Sequence, residues 1–598
     1  MAKQGRRLVV LACVAAFLGG CTVSHPSAEQ PSAEQPSAGQ PTSGTPSPSD
    51  KPNIVFVLTD DLSMNLVPYM DEVGRLASEG TTFNDYFVAN SLCCPSRATM
   101  LTGKYPHNTG VLTNSWPEGG FDQFYLNDLN DAAGSLMQAA GYRTGFMGKF
   151  LNQYQPDGVG GSGARRPTYE SGFVPPGWNF WDGYGTGGYQ EFNYAHAVAT
   201  DQTAGQVQTT TGDLESDYVT DVLSREAGEF IDQAADGTGT EGTGAPGASS
   251  AGTSPFFLIV STFGTHSSGR DRDAESRPVT FPPAPRDRPS PTTRNDWPTQ
   301  WQLPQFADGD CGDPTDGGCN DVAFPSTGSV ATFEKVPENP PSWIVPSHYS
   351  AADLATLREY YLERIQMAQS INDLLANLRI QLEDAGVLDN TYIVFSSDNG
   401  FHLGEHDLWF GKRTAYDHDI NVPLIIRPPG GSAPATVDAI AQNTDLLPTW
   451  LDIAGTPDAS AAQDGRSLLP LLGGESKGTA WRTGAFVEQR AENDDDETDP
   501  DSEAEQGSTH PPSYRAIRTA SYLYVDYAPP GKAADALREA EFYDLANDPN
   551  ELTNIYDQLS ATDKLALARA VLSFASCIGP TCREVDQTMP TITPPGAS

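Results

Sequence analysis

The chain carries the stretch NIVFVLTDD at residues 53–61, and this stretch decides the fold class. Residues 54–59 are apolar or β-branched throughout, which is typical of a strand that is buried on both faces of a parallel sheet. The run ends in Asp60 and Asp61. The stretch therefore predicts a buried strand that delivers two carboxylates at its carboxyl end.

Two later runs have the same build. TYIVFSSDNG at residues 391–400 ends in Asp398 and Asn399, and FFLIV at residues 256–260 leads to His266. Ligands of open α/β sheets bind beyond the carboxyl ends of the strands, so we expect these polar residues to converge. Apolar residues recur at helical spacing within residues 351–385. The fold class predicted is α/β, a large mainly parallel sheet flanked by helices.

The polar residues behind these strands are of a type that binds metal. Asp60, Asp61, Asp398 and Asn399 offer four hard oxygen ligands, which suit Ca²⁺ or Mg²⁺ rather than zinc. Each motif alone is typical of an ordinary turn. Because both follow strands of matching build, together they favour a metal site.

A second stretch, LCCPSRATMLTGKYPH at residues 92–107, places a potential nucleophile beside a fixed cation. The thiolate of Cys93 would be a good nucleophile, and the planar fork of Arg97 fits the oxygens of sulfate or phosphate. The structural alternative is a buried cysteine pair at the start of a helix.

The order Cys-x-Pro-Ser-Arg-x-x-x-Leu-Thr-Gly in this stretch resembles the signature of the sulfatases, and the resemblance extends over most of residues 51–560. In that family the first cysteine is oxidised to Cα-formylglycine, whose hydrated aldehyde is the nucleophile. The matching residue is Cys93, so a formylglycine-generating enzyme is an expected partner. The resemblance also implies one divalent cation, usually Ca²⁺, with these ligands: Asp60, Asp61, Asp398, Asn399 and an oxygen of the modified Cys93.

The resemblance assigns further roles. Arg97, Lys149 and Lys412 would spread the charge of the sulfuryl oxygens, and His266 would protonate the departing alcohol or phenol. The arylsulfatase branch follows the first lysine with Trp-His, whereas this chain has Phe150-Leu151-Asn152. The base for the final step therefore stays open. Candidates for this base, each of which could equally be a structural hydrogen-bonding residue, are His107, His402 and His406. Asn152 is a further possible active-site residue, as are His107 and His402.

The substrate predicted is a sulfate monoester. GKFLNQY at residues 148–154 and the Cys-Cys form of the signature resemble the glucosamine-6-sulfatase branch. This implies sulfated amino sugars such as N-acetylglucosamine-6-sulfate, or aryl sulfates. Two alternatives remain: a phosphomonoester or phosphonate-ester hydrolase that uses the same site, and a non-catalytic binder of sulfated glycans in which Cys93 is never converted.

The charge of the chain excludes one class of partner. Among 598 residues, 36 are Lys or Arg and 78 are Asp or Glu, which gives a net charge of −42. This charge argues strongly against a nucleic-acid backbone as a partner. A polyanionic substrate would be repelled unless the site carries its own positive patch.

The first fifty residues predict export. Residues 1–20 have a basic start and an apolar run that is too short to span a membrane, as in a signal peptide. LGGC at residues 18–21 resembles a bacterial lipobox, which implies a lipid on Cys21; an ordinary secretory peptide is the alternative. Residues 21–50 form a Pro/Ser-rich tether. We expect a protein anchored by lipid alone to the outer face of a bacterial cell membrane.

The rest of the chain yields a domain plan and a cysteine pairing. We expect a catalytic domain at residues 51–482 and a C-terminal subdomain with a small antiparallel sheet at residues 483–598. The latter includes a strand at 514–527 and a disordered acidic loop at 490–512. Local disulfides Cys311–Cys319 and Cys577–Cys582 are favoured over a metal knuckle. The insertions at 237–254 and 270–346 remain without a predicted role.

Overall fold

The computed structural model describes the chain in segments, from residue 51 to residue 594. The described residues are 51–158, 166–200, 205–212, 214–237, 254–268, 280–284, 337–345, 349–474, 481–491, 510–527 and 539–594. The predicted signal peptide, Cys21 and the tether lie outside them. So do Cys311 and Cys319, and most of the two insertions and of the acidic loop.

Eighteen strands occur among these described residues. They are β1 Asn53–Thr59, β2 Thr81–Phe83, β3 Tyr86–Phe87, β4 Arg143–Lys149, β5 Phe180–Tyr184, β6 Ala195–Thr200, β7 Gln206–Thr209, β8 Phe256–Ser261, β9 Thr391–Ser397, β10 His402–Leu403, β11 Phe410–Gly411, β12 Leu424–Arg427, β13 Ala435–Val437, β14 Ala441–Gln442, β15 Ala485–Gln489, β16 Tyr514–Arg518, β17 Tyr522–Asp526 and β18 Ala540–Asp544.

The same described segments contain eleven α-helices. They are α1 Asp71–Ser78, α2 Cys93–Thr102, α3 Pro106–Thr109, α4 Gly120–Asn127, α5 Ala133–Ala139, α6 Val219–Ala235, α7 Ala351–Asp384, α8 Asp417–Ile420, α9 Leu446–Ile453, α10 Ala561–Phe574 and α11 Pro580–Val585. None of the helices in the described segments is both long enough and apolar enough to cross a membrane.

The main sheet has ten strands in the order β13-β2-β12-β9-β1-β8-β4-β5-β6-β7. Its centre, from β9 to β5, is parallel, whereas β12, β6 and β7 run antiparallel to their inner neighbours. The predicted runs at residues 53–59, 256–260 and 391–397 are the adjacent strands β1, β8 and β9. The α/β prediction is therefore confirmed, as a mixed sheet with a parallel centre.

Helices cover both faces of this sheet, which is why β1 is apolar along its whole length. All seven residues of β1 are buried. Phe56 faces Trp450 of α9, with ring centroids 5.2 Å apart. Val55 and Val57 point the other way, into the hydrophobic cluster that contains Ile371 of α7. Burial on two faces keeps β1 and the acidic residues that follow it in a fixed position.

A separate antiparallel sheet, β15-β16-β17-β18, packs against α10 and confirms the predicted C-terminal sheet. The expectation of one strand over residues 514–527 is wrong, because a turn separates β16 from β17. The Oγ1 atom of Thr519 accepts hydrogen bonds from the backbone N–H groups of Ser521 and Tyr522. This local side-chain bond stabilises the turn.

Two features hold the C-terminal region in place. The buried guanidinium of Arg482 donates two hydrogen bonds to Asp445, at 2.6 and 2.7 Å, and one to Asp586 at 3.2 Å. Cys577 and Cys582 form a disulfide with a Cα–Cα distance of 4.9 Å. Arg482 lies at the predicted domain boundary and there connects residues of both predicted domains.

Candidate active site

The carboxyl ends of β1 and β9 bring two acidic turns together. The two strands pair in parallel register from Asn53 and Thr391 to Thr59 and Ser397. The backbone N–H of Asp61 donates to Oδ1 of Asp398 at 3.1 Å. The side-chain amide of Asn399 donates to Oδ1 of Asp61 at 2.7 Å. The register of the sheet therefore gathers Asp60, Asp61, Asp398 and Asn399 into one cluster.

Cys93 is the first residue of α2 and is fully buried. Its Sγ atom lies 3.5 Å from Oδ1 of Asp60 and 4.0 Å from Oδ1 of Asp61. The backbone amides at a helix N-terminus carry partial positive charge, which favours an anion. The side chain of residue 93 thus lies between an acidic cluster and the positive end of a helix.

Arg97 follows one helical turn after Cys93, on the same face of α2. Its Nε atom donates to Oδ2 of Asp398 at 2.6 Å, and its Nη1 atom donates to Oγ of Ser261 at 2.7 Å and to the carbonyl of Lys149 at 2.8 Å. Arg97 therefore joins the ends of three strands, β4, β8 and β9, to the helix that carries Cys93.

Two lysines complete the positive side of the site. Lys149 is the last residue of β4, and its Nζ atom lies 2.5 Å from Oδ2 of Asp60. The Nζ atom of Lys412 donates to Oδ1 of Asp61 at 2.7 Å and to Sγ of Cys93 at 2.9 Å. Both lysines are buried, as is expected only for lysines with charged partners.

The position of Lys149 depends on the glycine before it. Gly148 has a φ of +100°, and a Cβ atom there would lie 1.8 Å from the carbonyl oxygen of Ser261. Only glycine lets β4 approach β8 this closely at that point.

His266 closes the cluster from the segment after β8. Its Nε2 atom lies 3.5 Å from Oδ2 of Asp61 and 3.2 Å from Nζ of Lys412, while its Nδ1 atom lies 2.7 Å from the carbonyl oxygen of Ser267. The Nδ1 contact fixes the ring orientation, so Nε2 is the nitrogen that faces the reacting region.

Burial and charge perturb the ionisable groups of the site. Burial, together with the charge of Asp398, raises the pKa of Asp60 to about 6. Burial also opposes the charge on Asp398, but Arg97, Lys149 and Lys412 hold its pKa well below the ordinary value. Burial raises the pKa of the Cys93 thiol well above its ordinary value despite both lysines. The unmodified cysteine is therefore a protonated thiol, which is a poor nucleophile.

The acidic cluster fits a divalent cation. Oδ2 of Asp61 and Oδ1 of Asn399 are buried and accept no hydrogen bond from any described residue. Three carboxylates face three basic side chains here, so the cluster is close to neutral, and a dication would leave it positive. Ligand atoms of Asp60, Asp61, Cys93 and His266 lie within 4.8 Å of one another. The carboxylate and amide oxygens suit a hard ion.

Three histidines that the sequence suggested as bases are bound elsewhere. His107 contacts Oε1 of Glu488 at 2.6 Å. His402 lies 3.1 Å from Asp419, and His406 contacts the carbonyl of Glu551 at 2.9 Å. No hydrogen bond or ion pair connects any of the three to Cys93 in the described part of the chain. The geometry therefore gives none of them the role of base.

Asn152 lies in a cleft beside Lys149. The cleft is lined by amide and aromatic side chains, among them Gln153 and Tyr189. The amide of Asn152 lies 3.4 Å from Oη of Tyr189. The Tyr189 ring is 4.7 Å from Nζ of Lys149 and 4.6 Å from the His266 ring. Tyr189 thus connects two predicted site residues and was absent from the sequence-based set.

Arg364 of α7 is a second residue that sequence reasoning missed. Its guanidinium donates to the carbonyl of Asp61 and, at 3.2 Å, to Oγ of Ser63, and it lies 4.4 Å from the Phe401 ring. A signal was present, since Arg364 interrupts the apolar helical face between Tyr361 and Ile365. Ser261, the partner of Arg97, ends β8 and gave no comparable signal.

Comparison with known families agrees with this geometry. Residues 52–456 match the family model described as sulfatase. The chain belongs to the sulfatase family. It is therefore a sulfuric ester hydrolase, and the cluster around Cys93 is its candidate active site. Residues 404–571 also match the model described as N-sulphoglucosamine sulphohydrolase, C-terminal.

Two curated relatives are amino-sugar sulfatases. This sulfatase is 29% identical over 550 residues to the N-acetylglucosamine-6-sulfatase of Homo sapiens, which covers 89% of this chain and 86% of the relative. It is 26% identical over 553 residues to the N-acetylglucosamine-6-O-sulfatase of Bacteroides thetaiotaomicron. This match covers 86% of this chain and 84% of the relative.

Solved structures share the fold. BT4656, solved in complex with its substrate D-glucosamine-2-N,6-O-disulfate, has a TM-score of 0.57 and 22% identity, covering 90% of this chain and 99% of its own. The phosphonate monoester hydrolase of Silicibacter pomeroyi has a TM-score of 0.54 and 19% identity, covering 87% and 93%.

Proposed function

We propose that this sulfatase removes sulfate from 6-sulfated amino sugars, with a formylglycine made from Cys93 as nucleophile and Ca²⁺ as the cation. The observation that carries the proposal is the position of Cys93. Its side chain lies between the acidic cluster and Lys412, where a nucleophile would meet a bound sulfate. The names of the two amino-sugar relatives support the substrate class.

Residue 93 and the acidic cluster would hold the two groups that the protein must acquire. One hydroxyl of hydrated formylglycine at residue 93 would attack sulfur as the S–O bond to the sugar breaks, and the second hydroxyl would then expel sulfate and restore the aldehyde. Asp60, Asp61, Asp398 and Asn399 would hold the cation, which would supply polarisation of the sulfate. The formylglycine requires a generating enzyme in the host, which is a proposed partner. Asp398, whose pKa is held low, stays ionised and retains the hydrogen bond from Arg97.

The basic side chains stabilise the charge of the reacting ester. The Nζ atom of Lys149 contacts Asp60, and the Nζ atom of Lys412 contacts Asp61. They are fixed before substrate binds, so they stabilise developing charge without reorganisation. With a dication bound, the pocket has the local positive charge that an anionic ester needs in a chain of net charge −42.

His266 would protonate the leaving oxygen. Its Nδ1 atom is held by the carbonyl of Ser267, which leaves Nε2 to carry the transferred proton. Nε2 lies near Asp61 and Lys412, at the rim of the cluster that holds Cys93. A sugar alcohol is a poor leaving group, so this proton is essential for amino-sugar esters.

The test compares three substrates at equal concentration. We expect sulfate release from N-acetylglucosamine-6-sulfate with higher kcat/KM than from a phenyl sulfate, and weaker turnover of nitrophenyl phosphate. Mass spectrometry of the active-site peptide should show an aldehyde at residue 93. A fully active protein with an unmodified thiol would disprove the mechanism, and a preference for the phosphate would make the protein a phosphoester hydrolase.

We also propose that the protein is exported and anchored by a lipid on Cys21. The support is the sequence alone: an apolar run followed by LGGC at residues 18–21 and then a Pro/Ser-rich tether. Expression of the full chain in a bacterial host with labelled palmitate tests this. Label should enter the wild type and be absent from Cys21→Ser, which should appear in the soluble extracytoplasmic fraction.

A further inference from the structure

A second group of ligand-type side chains lies near the start of β10 and on α8. It consists of His402, His418 and Asp419, and it shares no residue with the cluster around Cys93. One ligand atom from each of the three lies within 4.8 Å of the others. The proposed reaction uses none of these residues.

The backbone brings the two segments together. The N–H of Gly400 donates to the carbonyl of Asp419 at 2.9 Å, and the N–H of Phe401 donates to the carbonyl of His418 at 3.0 Å. The Nδ1 atom of His402 then lies 3.1 Å from both carboxylate oxygens of Asp419. The Nε2 atom of His418 lies 3.8 Å from Oδ1 of Asp419. These separations are close to those between ligands of one tetrahedral ion.

The residues around His418 and Asp419 hold them in a way that is typical of metal ligands. Asp419 is fully buried, and its Oδ2 atom accepts hydrogen bonds from the N–H of Thr414 at 2.9 Å and from its Oγ1 at 2.7 Å. Ligating carboxylates are usually oriented by such outer contacts. The Nε2 atom of His418 is buried and has no hydrogen-bond partner among the described residues. The His418 side chain is 16% exposed, so the group lies close to the protein surface.

We propose that His402, His418 and Asp419 form a second metal site, which takes a borderline divalent ion such as Zn²⁺. Two imidazole nitrogens and one carboxylate are zinc ligands, whereas the cluster around Cys93 is dominated by hard oxygen atoms. Three protein ligands leave a fourth position for water. His406 lies close by, with its ring 5.1 Å from that of His418 and its Nδ1 atom buried without a hydrogen bond.

The ion would link the loop that carries Asp398 and Asn399 to α8. His402 follows Asn399 by three residues, and β10 leads to the segment that carries Lys412. Zinc at this position would therefore stabilise the loop that carries Asp398 and Asn399 without contacting the substrate. Its expected effect is on thermal stability and metal content rather than on the chemical step.

Equilibrium dialysis of the full chain against Zn²⁺, in excess Ca²⁺, tests the proposal. We expect the wild type to retain about one zinc per chain by elemental analysis, since three-ligand zinc sites bind one ion each. His418→Phe should lose this zinc. His107→Gln, which removes a histidine outside the group, should retain it. Asp61→Asn should also retain it, because Asp61 belongs to the other cluster.

Two results would overturn the proposal. One is zinc that disappears in Asp61→Asn and persists in His418→Phe, which would place the ion beside Cys93. The other is a wild type that retains no zinc. Should His418→Phe fail to fold, electron paramagnetic resonance of the Cu²⁺-loaded wild type and of His402→Gln gives an independent measure. Nitrogen couplings from two imidazoles are expected in the wild type and from one in the variant.

Discussion

The Nζ atom of Lys412 lies 2.9 Å from the Sγ atom of Cys93. No sequence motif predicts this pairing by proximity, because 319 residues separate the two positions. Lys412 also donates to Asp61, so it connects the residue that becomes the nucleophile with the acidic cluster. Its charge therefore acts on whatever group stands at position 93.

Replacement of Lys412 by methionine should lower kcat by about 10²-fold to 10³-fold, as for loss of one preorganised donor to a transition-state oxyanion. Binding of the ester should weaken by a smaller factor than the factor by which kcat falls, since Lys149 remains in the site. Steady-state kinetics on N-acetylglucosamine-6-sulfate measures both. A variant with unchanged kcat would show that Lys412 has no role in the chemical step.

Cys93→Ala should abolish sulfate release and leave the fold intact, because only the reacting side chain is removed. Circular dichroism and the melting temperature check the fold. The matched control is Cys94→Ala, which removes the neighbouring buried thiol. The control should remain active, and comparable activity in both variants would place the nucleophile elsewhere.

His266→Gln should lower kcat on an amino-sugar sulfate by about 10²-fold to 10⁴-fold, the usual range for general acid catalysis. The loss on nitrophenyl sulfate should be much smaller, because nitrophenolate leaves without a proton. The ratio of the two losses is the measurement. Equal losses on the two esters would mean that His266 positions the substrate rather than protonates it.

Removal of the divalent cation should destabilise the protein. Without the ion, Oδ2 of Asp61 and Oδ1 of Asn399 are buried oxygen atoms with no hydrogen-bond donor among the described residues. A chelator should lower the melting temperature, and added Ca²⁺ should restore it, as expected for an ion that binds only the folded state. Asp61→Asn should respond less to Ca²⁺; an equal response would place the stabilising ion at another site.

His107 should make stability depend on pH. Burial opposes its charge, but the contact with Glu488 outweighs burial and raises the pKa of His107 above 6.5. A raised pKa means that the stabilisation is complete below the ordinary histidine pKa and is lost as the pH rises through the folded-state value. The free energies of urea unfolding of wild type and His107→Gln should therefore differ most below the ordinary histidine pKa of about 6.5, and the difference should decrease as the pH rises above it.

The sequence was sufficient for the parts of the site that depend on local pattern. Buried parallel strands have a recognisable composition, so β1 and β9 and their acidic ends could be predicted. The Cys93 stretch could be assigned because its residue order is long and specific. Both signals are contained within about ten consecutive residues, the scale on which pattern arguments are dependable.

Other features depend on which segments meet in space. Tyr189 lies between Lys149 and His266, with its ring beside that of Phe263 just after β8, and no periodicity in the sequence predicts these contacts. The sequence does not distinguish His107, His402 and His406 as candidate bases, but each has a different partner in the fold. The turn at Thr519 was missed because the alternating pattern continues through it.

Gly148 limits how this enzyme can be re-engineered. Any side chain there would collide with Ser261, so libraries that vary residue 148 should yield mostly inactive clones. Altered preference among sugar esters is better sought at Asn152 and Gln153, which line the adjoining cleft beyond the strand end. Natural divergence in this region should follow the same route, with a fixed glycine and lysine and changing neighbours.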